Sequence, residues 1–445
     1  MHITIAKFGG STTNNRNKLN VACSTVTSFV ENKEKVVVVV SALRGVTNTL
    51  EVTIRTINEE NFHESITQCN NQLRRLHEHA PLDPRDLSEL EAQFQLLVQS
   101  GKSPWLQDQI LVKGESLFST NFATELTNRG IKTKLLMFDS PKFPTMVHGY
   151  FGNARVDLAQ TKIKCETLAS CFEEYVCLCV PGYGGVDIES GRVKTLRRGG
   201  SDAVATALSY GFSAAALWII TDVNGIQRVY TKKIVDAPTI PELCVEELRD
   251  AGTYGAKVPN EVAVRPLMLH CPPVTFVAKY DELDGEKTRI VKSEGADSGR
   301  VVELAAQREI IIYEFTGVNI HATLSQLESE LDAHFIDFIS LGGGDYTRKI
   351  VIPPDQAPYM DQCVTTCGEK IDITKSKSSI VGIVGKNMRK TPGVIAKMGS
   401  ALAKKDINIY YQFDVSPISC GVIVERSQAE AAVELLYREF KLATY

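Results

Sequence analysis

Short apolar runs alternate along the chain with longer stretches in which apolar positions recur every three or four residues. Ile3 to Phe8, Lys35 to Ser41, Lys132 to Phe138, Tyr175 to Pro181, Ala215 to Thr221 and Val274 to Ala278 read as buried strands. The stretches between them predict helices over Asn17 to Asn32, Asn48 to Glu59, Phe62 to Ala80, Pro84 to Ser100, Gln107 to Arg129, Ala154 to Cys171, Ser201 to Gly211 and Glu246 to Gly252. Such alternation predicts a mostly parallel sheet covered by helices on both faces. Ligands of such sheets sit at the carboxyl ends of the strands, where loops lead into helix N-termini.

The polar, turn-rich segment from Ser293 to Gly299 reads as a domain boundary or a surface hairpin, and the pattern changes after it. Ile310 to Thr316, a helix near Thr323 to Ala333, Phe335 to Leu341, Thr347 to Ile352 and a helix near Pro354 to Cys367 give a β-α-β-β-α order. The order recurs as Ser379 to Gly385, Pro392 to Lys404, Ile407 to Phe413, Gly421 to Val424 and Gln428 to Phe440. This weak repeat of pattern predicts two small ferredoxin-like units, able to share a sheet and bury a ligand between them.

Composition narrows the class. The 445 residues include 43% hydrophobic and 23% charged residues, an ordinary globular mix, and the length suggests about three folding units. The formal net charge of -4 supplies no global basic field, so neither nucleic acid nor an anionic membrane is an expected partner. The most apolar stretches, Val36 to Leu43 and Ala214 to Ile220, are too short to span a bilayer. The first residues lack the order of a signal peptide, and a cytoplasmic location is the expectation. The 11 cysteines are scattered among apolar neighbours and read as reduced core thiols.

Candidate chemistry gathers at glycine loops. Lys7-Phe8-Gly9-Gly10-Ser11 follows the first strand and opens toward a helix. It reads either as a phosphate cradle, with backbone N–H groups, a compact cation and a helix dipole, or as a plain strand-to-helix turn. Arg197-Arg198-Gly199-Gly200-Ser201-Asp202 stands before another helix; Ser201 or Asp202 could simply cap it, yet an arginine fork grips carboxylates and the glycines leave room for phosphates. Ser41 to Asn48 turns polar where the second strand ends, and its hydroxyls could equally cap the next helix. Glu115 falls inside a helical pattern, where a glutamate is usually solvated. Pro181 to Gly185 and Thr221 to Gly225 end two further strands. His63, His77, His79 and the cysteine pairs Cys177/Cys179 and Cys363/Cys367 lack the spacing of a zinc site.

In order, Lys7 to Ser11, Ser41 to Asn48, Gly114-Glu115, Arg198 to Asp202, Thr221 to Gly225 and Gly255 to Val258 resemble the motifs of the aspartokinases, within the amino acid kinase family, and the C-terminal pair resembles their tandem ACT units. The resemblance spans essentially the whole chain. It implies an α/β fold: a three-layer αβα amino acid kinase domain with a mostly parallel open sheet over residues 1–292, then two ferredoxin-like (βαββαβ) ACT domains over 306–376 and 377–445. It further implies phosphorylation of the side-chain carboxylate of L-aspartate by ATP with Mg2+, the first step toward lysine, diaminopimelate, threonine and methionine.

The residue roles that follow are those of the resemblance. Lys7 and Asp202 are catalytic; Ser41, Thr47, Glu115, Arg198 and Ser201 bind aspartate, with Arg198 on its α-carboxylate and Glu115 on its ammonium. Lys7, Phe8, Gly9, Gly10, Ser11, Gly199, Gly200, Thr221, Asp222, Lys232 and Lys257 face the nucleotide. Asp337 and Ser340 take an amino-acid effector, lysine, and the ACT pair forms a homodimer; no metal ligands are assigned. The sequence departs from the family pattern at Gln227, at Tyr230-Thr231-Lys232 and at Asn260-Glu261, all on the adenine side, and Ser11-Thr12 inverts the usual order. Two other readings stand beside this one: an amino acid kinase for a different small carboxylate, and a non-catalytic amino-acid sensor.

Overall fold

A computed structural model of the chain describes residues 2–196, 199–231, 233–234, 236–256, 261–292, 301–317, 320–333, 338–341, 346–366 and 372–442. The described residues form two compact units. The first takes those of Met1–Ile226, Pro241–Val245 and Pro259–Gly295; the second takes those of Gln227–Ile240, Glu246–Val258 and Ala296–Tyr445.

The first unit is built on an eight-stranded sheet in the order Glu242–Cys244, Lys287–Val291, Val274–Lys279, Ala216–Thr221, Ile3–Phe8, Lys35–Val40, Cys177–Pro181, Thr133–Leu135. The last six of these run parallel; Lys287–Val291 turns antiparallel to Val274–Lys279. The valine run of the Lys35–Val40 strand is buried on both faces, as a central parallel strand requires. Val36, Val38 and Val40 join Ala6 and Phe8 in one core with Leu19, Leu50, Leu73, Phe94 and Phe122, contributed by five helices. Helix Gly200–Gly211 packs on the sheet against Ile3–Phe8, Lys35–Val40 and Ala216–Thr221. The expected mostly parallel α/β sheet is therefore present.

Two sequence expectations need correction here. Asn153–Val156 is a strand, paired with Met146–Tyr150, so the expected helix over Ala154 to Cys171 begins only at Leu158, where Asp157 caps it by accepting from Gln160 N at 2.8 Å. Those strands join Gly184–Asp187 and Val193–Thr195 in a second, four-stranded sheet. The helix expected over Gln107 to Arg129 is two helices, Pro104–Leu111 and Lys113–Asn128, divided at Val112.

The second unit carries one antiparallel six-stranded sheet, ordered Ile339–Leu341, Thr347–Ile352, Leu304–Thr316, Asp372–Val384, Ser419–Val424, Tyr411–Phe413. Its two central strands, 13 residues each, pair along their whole length from Leu304↔Val384 to Thr316↔Asp372. Each therefore serves two cores. Tyr313 and Phe315 pack with Leu327 and Met360, while Ala305, on the same strand, packs with Ile383, Met398 and Leu436. The two ferredoxin-like patterns thus interleave through shared strands. Among the described residues, no helix is long and apolar enough to cross a membrane.

Candidate active site

Four adjacent parallel strands, Ala216–Thr221, Ile3–Phe8, Lys35–Val40 and Cys177–Pro181, end together, and each releases one of the loops marked out in the sequence. Chain order reverses beside the first strand, where an open parallel sheet opens a crevice. Gly9 N bonds Ile220 O at 3.3 Å, Ser41 N bonds Phe8 O at 3.2 Å, and Gly182 N bonds Val40 O at 2.8 Å, so the loops are tied to one another from the outset.

The first loop turns tightly: Thr12 donates to Gly9 O through both its N–H and its hydroxyl, at 2.9 and 2.7 Å. Gly10 has no alternative, since a Cβ there would stand 2.1 Å from Ala42 O. Arg44 N in turn donates to Gly10 O at 3.2 Å. Gly199 takes φ +82 as the N-cap of helix Gly200–Gly211, which has no side-chain cap. Ser201 and Asp202 lie inside the first turn of that helix, so the capping alternative for both is set aside. Asp202 instead meets Lys7: Nζ and Oδ1 are 2.7 Å apart, with both side chains largely shielded. The strand-end lysine and the second glycine loop converge on one place.

Glu115 does not point to solvent. It is 3% exposed on the first turn of helix Lys113–Asn128, its Oε1 accepts from Ala42 N at 3.2 Å, and its Oε2 is buried without a hydrogen-bond partner. Desolvation pushes its carboxyl up to about 8. A buried carboxyl with one unpartnered oxygen is able to accept from a donor outside the chain. Thr47, half-buried, sits in the first turn of helix Val46–Thr56, and Ser41 lies at the end of the second strand. Thr221 and Asp222 end the neighbouring strand; the Thr221 hydroxyl donates to Asp222 Oδ1 at 3.3 Å, and Asp222 is exposed.

Arg198, Lys232, Lys257 and Asp337 lie outside the described residues. Ser340 is exposed on strand Ile339–Leu341 of the second unit, opposite Ile350. The described cysteines are buried, as core thiols should be. His77 is also core: its Nδ1 meets Leu73 O at 2.9 Å, and burial lowers its pKa to about 4.

One residue of consequence carries no local signal. Asp108, 2% exposed, accepts from Thr195 N, the Thr195 hydroxyl and Gly152 N, each at 2.8 Å. It thereby pins the strand that leads into Arg197-Arg198. Among the described residues, no group of three or more His, Cys, Asp or Glu side chains is placed to hold a metal. Mg2+ needs no such cage when phosphate oxygens and water complete its octahedron, so the residues fit an ion carried by a nucleotide.

A doubly covered parallel sheet with glycine loops, a shielded lysine and a helix start at its switch point defines an α/β protein that binds anionic ligands. The chain belongs to the amino acid kinase family, whose model matches residues 2–277, and an ACT domain model matches residues 381–440. An aspartate kinase of Stutzerimonas stutzeri is 24% identical over 99% of this chain and 98% of its own. A crystal structure of E. coli aspartokinase III with aspartate and ADP, in the R-state, superposes with TM-score 0.83 at 20% identity, covering 98% of this chain and 99% of that one. The same enzyme with lysine and aspartate, in the T-state, gives 0.67 at 20% identity, covering 98% and 99%.

Proposed function

We propose that the protein is an ATP-dependent aspartate kinase. A side-chain carboxylate oxygen of L-aspartate attacks the γ-phosphorus of ATP, the bond to the bridging oxygen breaks, and 4-phospho-L-aspartate and ADP leave. The observation that carries the reading is the Lys7–Asp202 pair, which fixes a cation at the junction of two glycine loops. Full-length similarity to aspartate kinases supports the choice of substrate.

The acceptor carboxylate is already ionised at neutral pH, so no general base is required. The task is to bring two anions into line and to offset the charge spread over the transferring oxygens. Lys7 supplies that charge, held in place by Asp202, and the backbone N–H groups at Gly10, Ser11, Gly200 and Ser201 cradle the phosphates. Glu115 receives the substrate ammonium, Arg198 its α-carboxylate, and Thr47 and Ser41 donate hydrogen bonds. Thr221, Asp222, Lys232 and Lys257 serve the nucleotide. Asp222, an exposed carboxylate at the strand end, would help hold Mg2+ brought with the nucleotide, and the ion would supply neutralising positive charge.

The product feeds lysine, diaminopimelate, threonine and methionine synthesis. Lysine, bound at the ACT pair near Asp337 and Ser340, inhibits by favouring an inactive arrangement, to the extent of its differential affinity. The C-terminal units also carry a homodimer contact. Purified protein with ATP, Mg2+ and aspartate forms an acyl phosphate that hydroxylamine traps as the hydroxamate. Absence of aspartate-dependent hydroxamate in folded protein would end this reading.

A further inference from the structure

In the loop that follows the first strand, the carbonyls are tied down one by one. Gly9 O accepts from Thr12, Gly10 O accepts from Arg44 N at 3.2 Å, and Thr13 O accepts from His79 Nε2 at 2.8 Å. Ser11 O is taken by a lysine: Lys18 Nζ donates to it at 2.8 Å. The N–H groups of Gly10 and Ser11, by contrast, have no hydrogen-bond partner among the described residues. A turn whose carbonyls are all engaged leaves its N–H groups available, and successive free N–H groups form a concavity for an anion.

The place of Lys18 in the chain runs against electrostatic preference. It lies in the first turn of helix Arg16–Glu31, where Asn15 caps the helix by accepting from Lys18 N at 2.9 Å. The positive end of a helix dipole disfavours a cation, and this first turn holds no acidic residue to offset it. Two other groups do so: the Ser11 carbonyl, and the ring of Tyr280, whose centroid lies 5.0 Å from Nζ. Tyr280 is partly buried against the core of the first unit, and its N–H bonds Thr221 O at 2.9 Å. Lys18 thereby links the Gly10 loop to the end of strand Ala216–Thr221, the two places given to the nucleotide.

We propose that Lys18 is a positioning residue for nucleotide binding: by holding the Ser11 carbonyl it keeps the Gly10 and Ser11 N–H groups free to receive phosphate oxygens, and Tyr280 holds the lysine in place. The inference rests on the phosphate role given to the Gly10-Ser11 loop above, and every residue it uses lies in the first unit. Without the lysine, the Ser11 peptide is free to turn its carbonyl toward the anion, replacing an attraction with a repulsion. The loss falls on the phosphates, with little effect on a second substrate held by other groups.

The test is calorimetric titration of the full-length protein with ADP and Mg2+, beside steady-state KM values for ATP and aspartate. Lys18→Met keeps the aliphatic stem and removes the donor; it should raise the ADP Kd and the ATP KM by about tenfold while the aspartate KM stays within about twofold. Lys18→Arg restores a charged donor and should bring the ADP Kd to within about threefold of the wild type. Tyr280→Leu should weaken ADP binding by about two- to fivefold. A cooperatively melting Lys18→Met with unchanged ADP Kd would overturn the proposal, as would an arginine variant as weak as the methionine one, or an aspartate KM rising in step with that for ATP. If Lys18→Met does not melt cooperatively, Tyr280→Leu decides, and an ADP Kd equal to that of the wild type counts against the proposal. ADP titration requires no turnover. A wild type that binds ADP and phosphorylates no aspartate sinks the aspartate reading and leaves this one decided by the variants; a wild type that binds no ADP sinks both.

Discussion

Lys7 Nζ and Asp202 Oδ1 stand 2.7 Å apart, joining the end of the first strand to the first turn of helix Gly200–Gly211. Two glycine loops distant in the chain thereby share one charge pair. Lys7→Ala should lower kcat by roughly 10³-fold, because a fixed charge aimed at the transferring phosphoryl group is lost. Both side chains are largely shielded, so the variant leaves the Asp202 carboxylate without its counter-charge and the melting temperature should also fall. Steady-state kinetics with thermal unfolding of the same preparation checks both parts, and equal kcat in the variant removes Lys7 from the mechanism.

With Glu115 as the proposed partner of the substrate ammonium, aspartate binding should depend on pH. Burial holds its carboxyl at about 8, above its ordinary value of 4.5, so in the free protein it is mostly protonated at neutral pH. Pairing with an ammonium requires the carboxylate, so the aspartate KM should rise as pH falls below 8, by up to about tenfold per unit. Glu115→Gln should flatten that dependence and raise the KM roughly 10- to 100-fold. The stability sign is opposite: the raised pKa contributes stability present below 4.5 and lost as pH rises through about 8. Thermal unfolding across that window should show aspartate stabilising the wild type most at the alkaline end.

Asp108 separates hydrogen bonding from charge. Asp108→Ala strands the Thr195 and Gly152 N–H groups in a buried setting and should destabilise by about 2–4 kcal/mol. Asp108→Asn keeps an acceptor for both N–H groups, and the Thr195 hydroxyl can turn to accept from the amide. Desolvation raises the Asp108 carboxyl from 3.8 to about 6, so its favourable contribution is present below 3.8 and lost as pH rises through 6. Denaturant unfolding should therefore show the Asn variant gaining on the wild type between pH 4 and 7. Equal losses for Ala and Asn would contradict the assignment.

In the second unit Arg228 and Glu303 form a pair 2.6 Å long, with side chains only 4% and 3% exposed. Arg228→Ala leaves a buried carboxylate short of its main counter-charge and should lower stability by about 3–5 kcal/mol. Arg228→Met with Glu303→Leu should recover much of that loss, measured by urea unfolding as a double-mutant cycle.

What the sequence made legible follows from local physics. Ile3–Phe8, Lys35–Val40 and Ala216–Thr221 were readable because strands buried on both faces are continuous apolar runs. Lys7, Gly10 and Asp202 stood out as candidates because glycine beside charge at a strand end is a visible local pattern, and the structure brings Lys7 and Asp202 together. The burial of Glu115 was not, since its neighbours within the helix are ordinary and its hydrogen-bond donor, Ala42 N, comes from a distant part of the chain. The Asn153–Val156 strand was hidden by residues that also suit a helix, although Asp157 marks the true helix start. Asp108 holds partners far along the chain, and no spacing announces it.

The most direct measurement of the central claim is a crystal structure of the protein with a non-hydrolysable ATP analogue, Mg2+ and aspartate. The account predicts the γ-phosphate against Lys7 Nζ and the Gly10 loop, and the aspartate ammonium against Glu115 Oε2. Phosphates seated away from Lys7, or an aspartate whose ammonium leaves Glu115 Oε2 unpartnered, would contradict it.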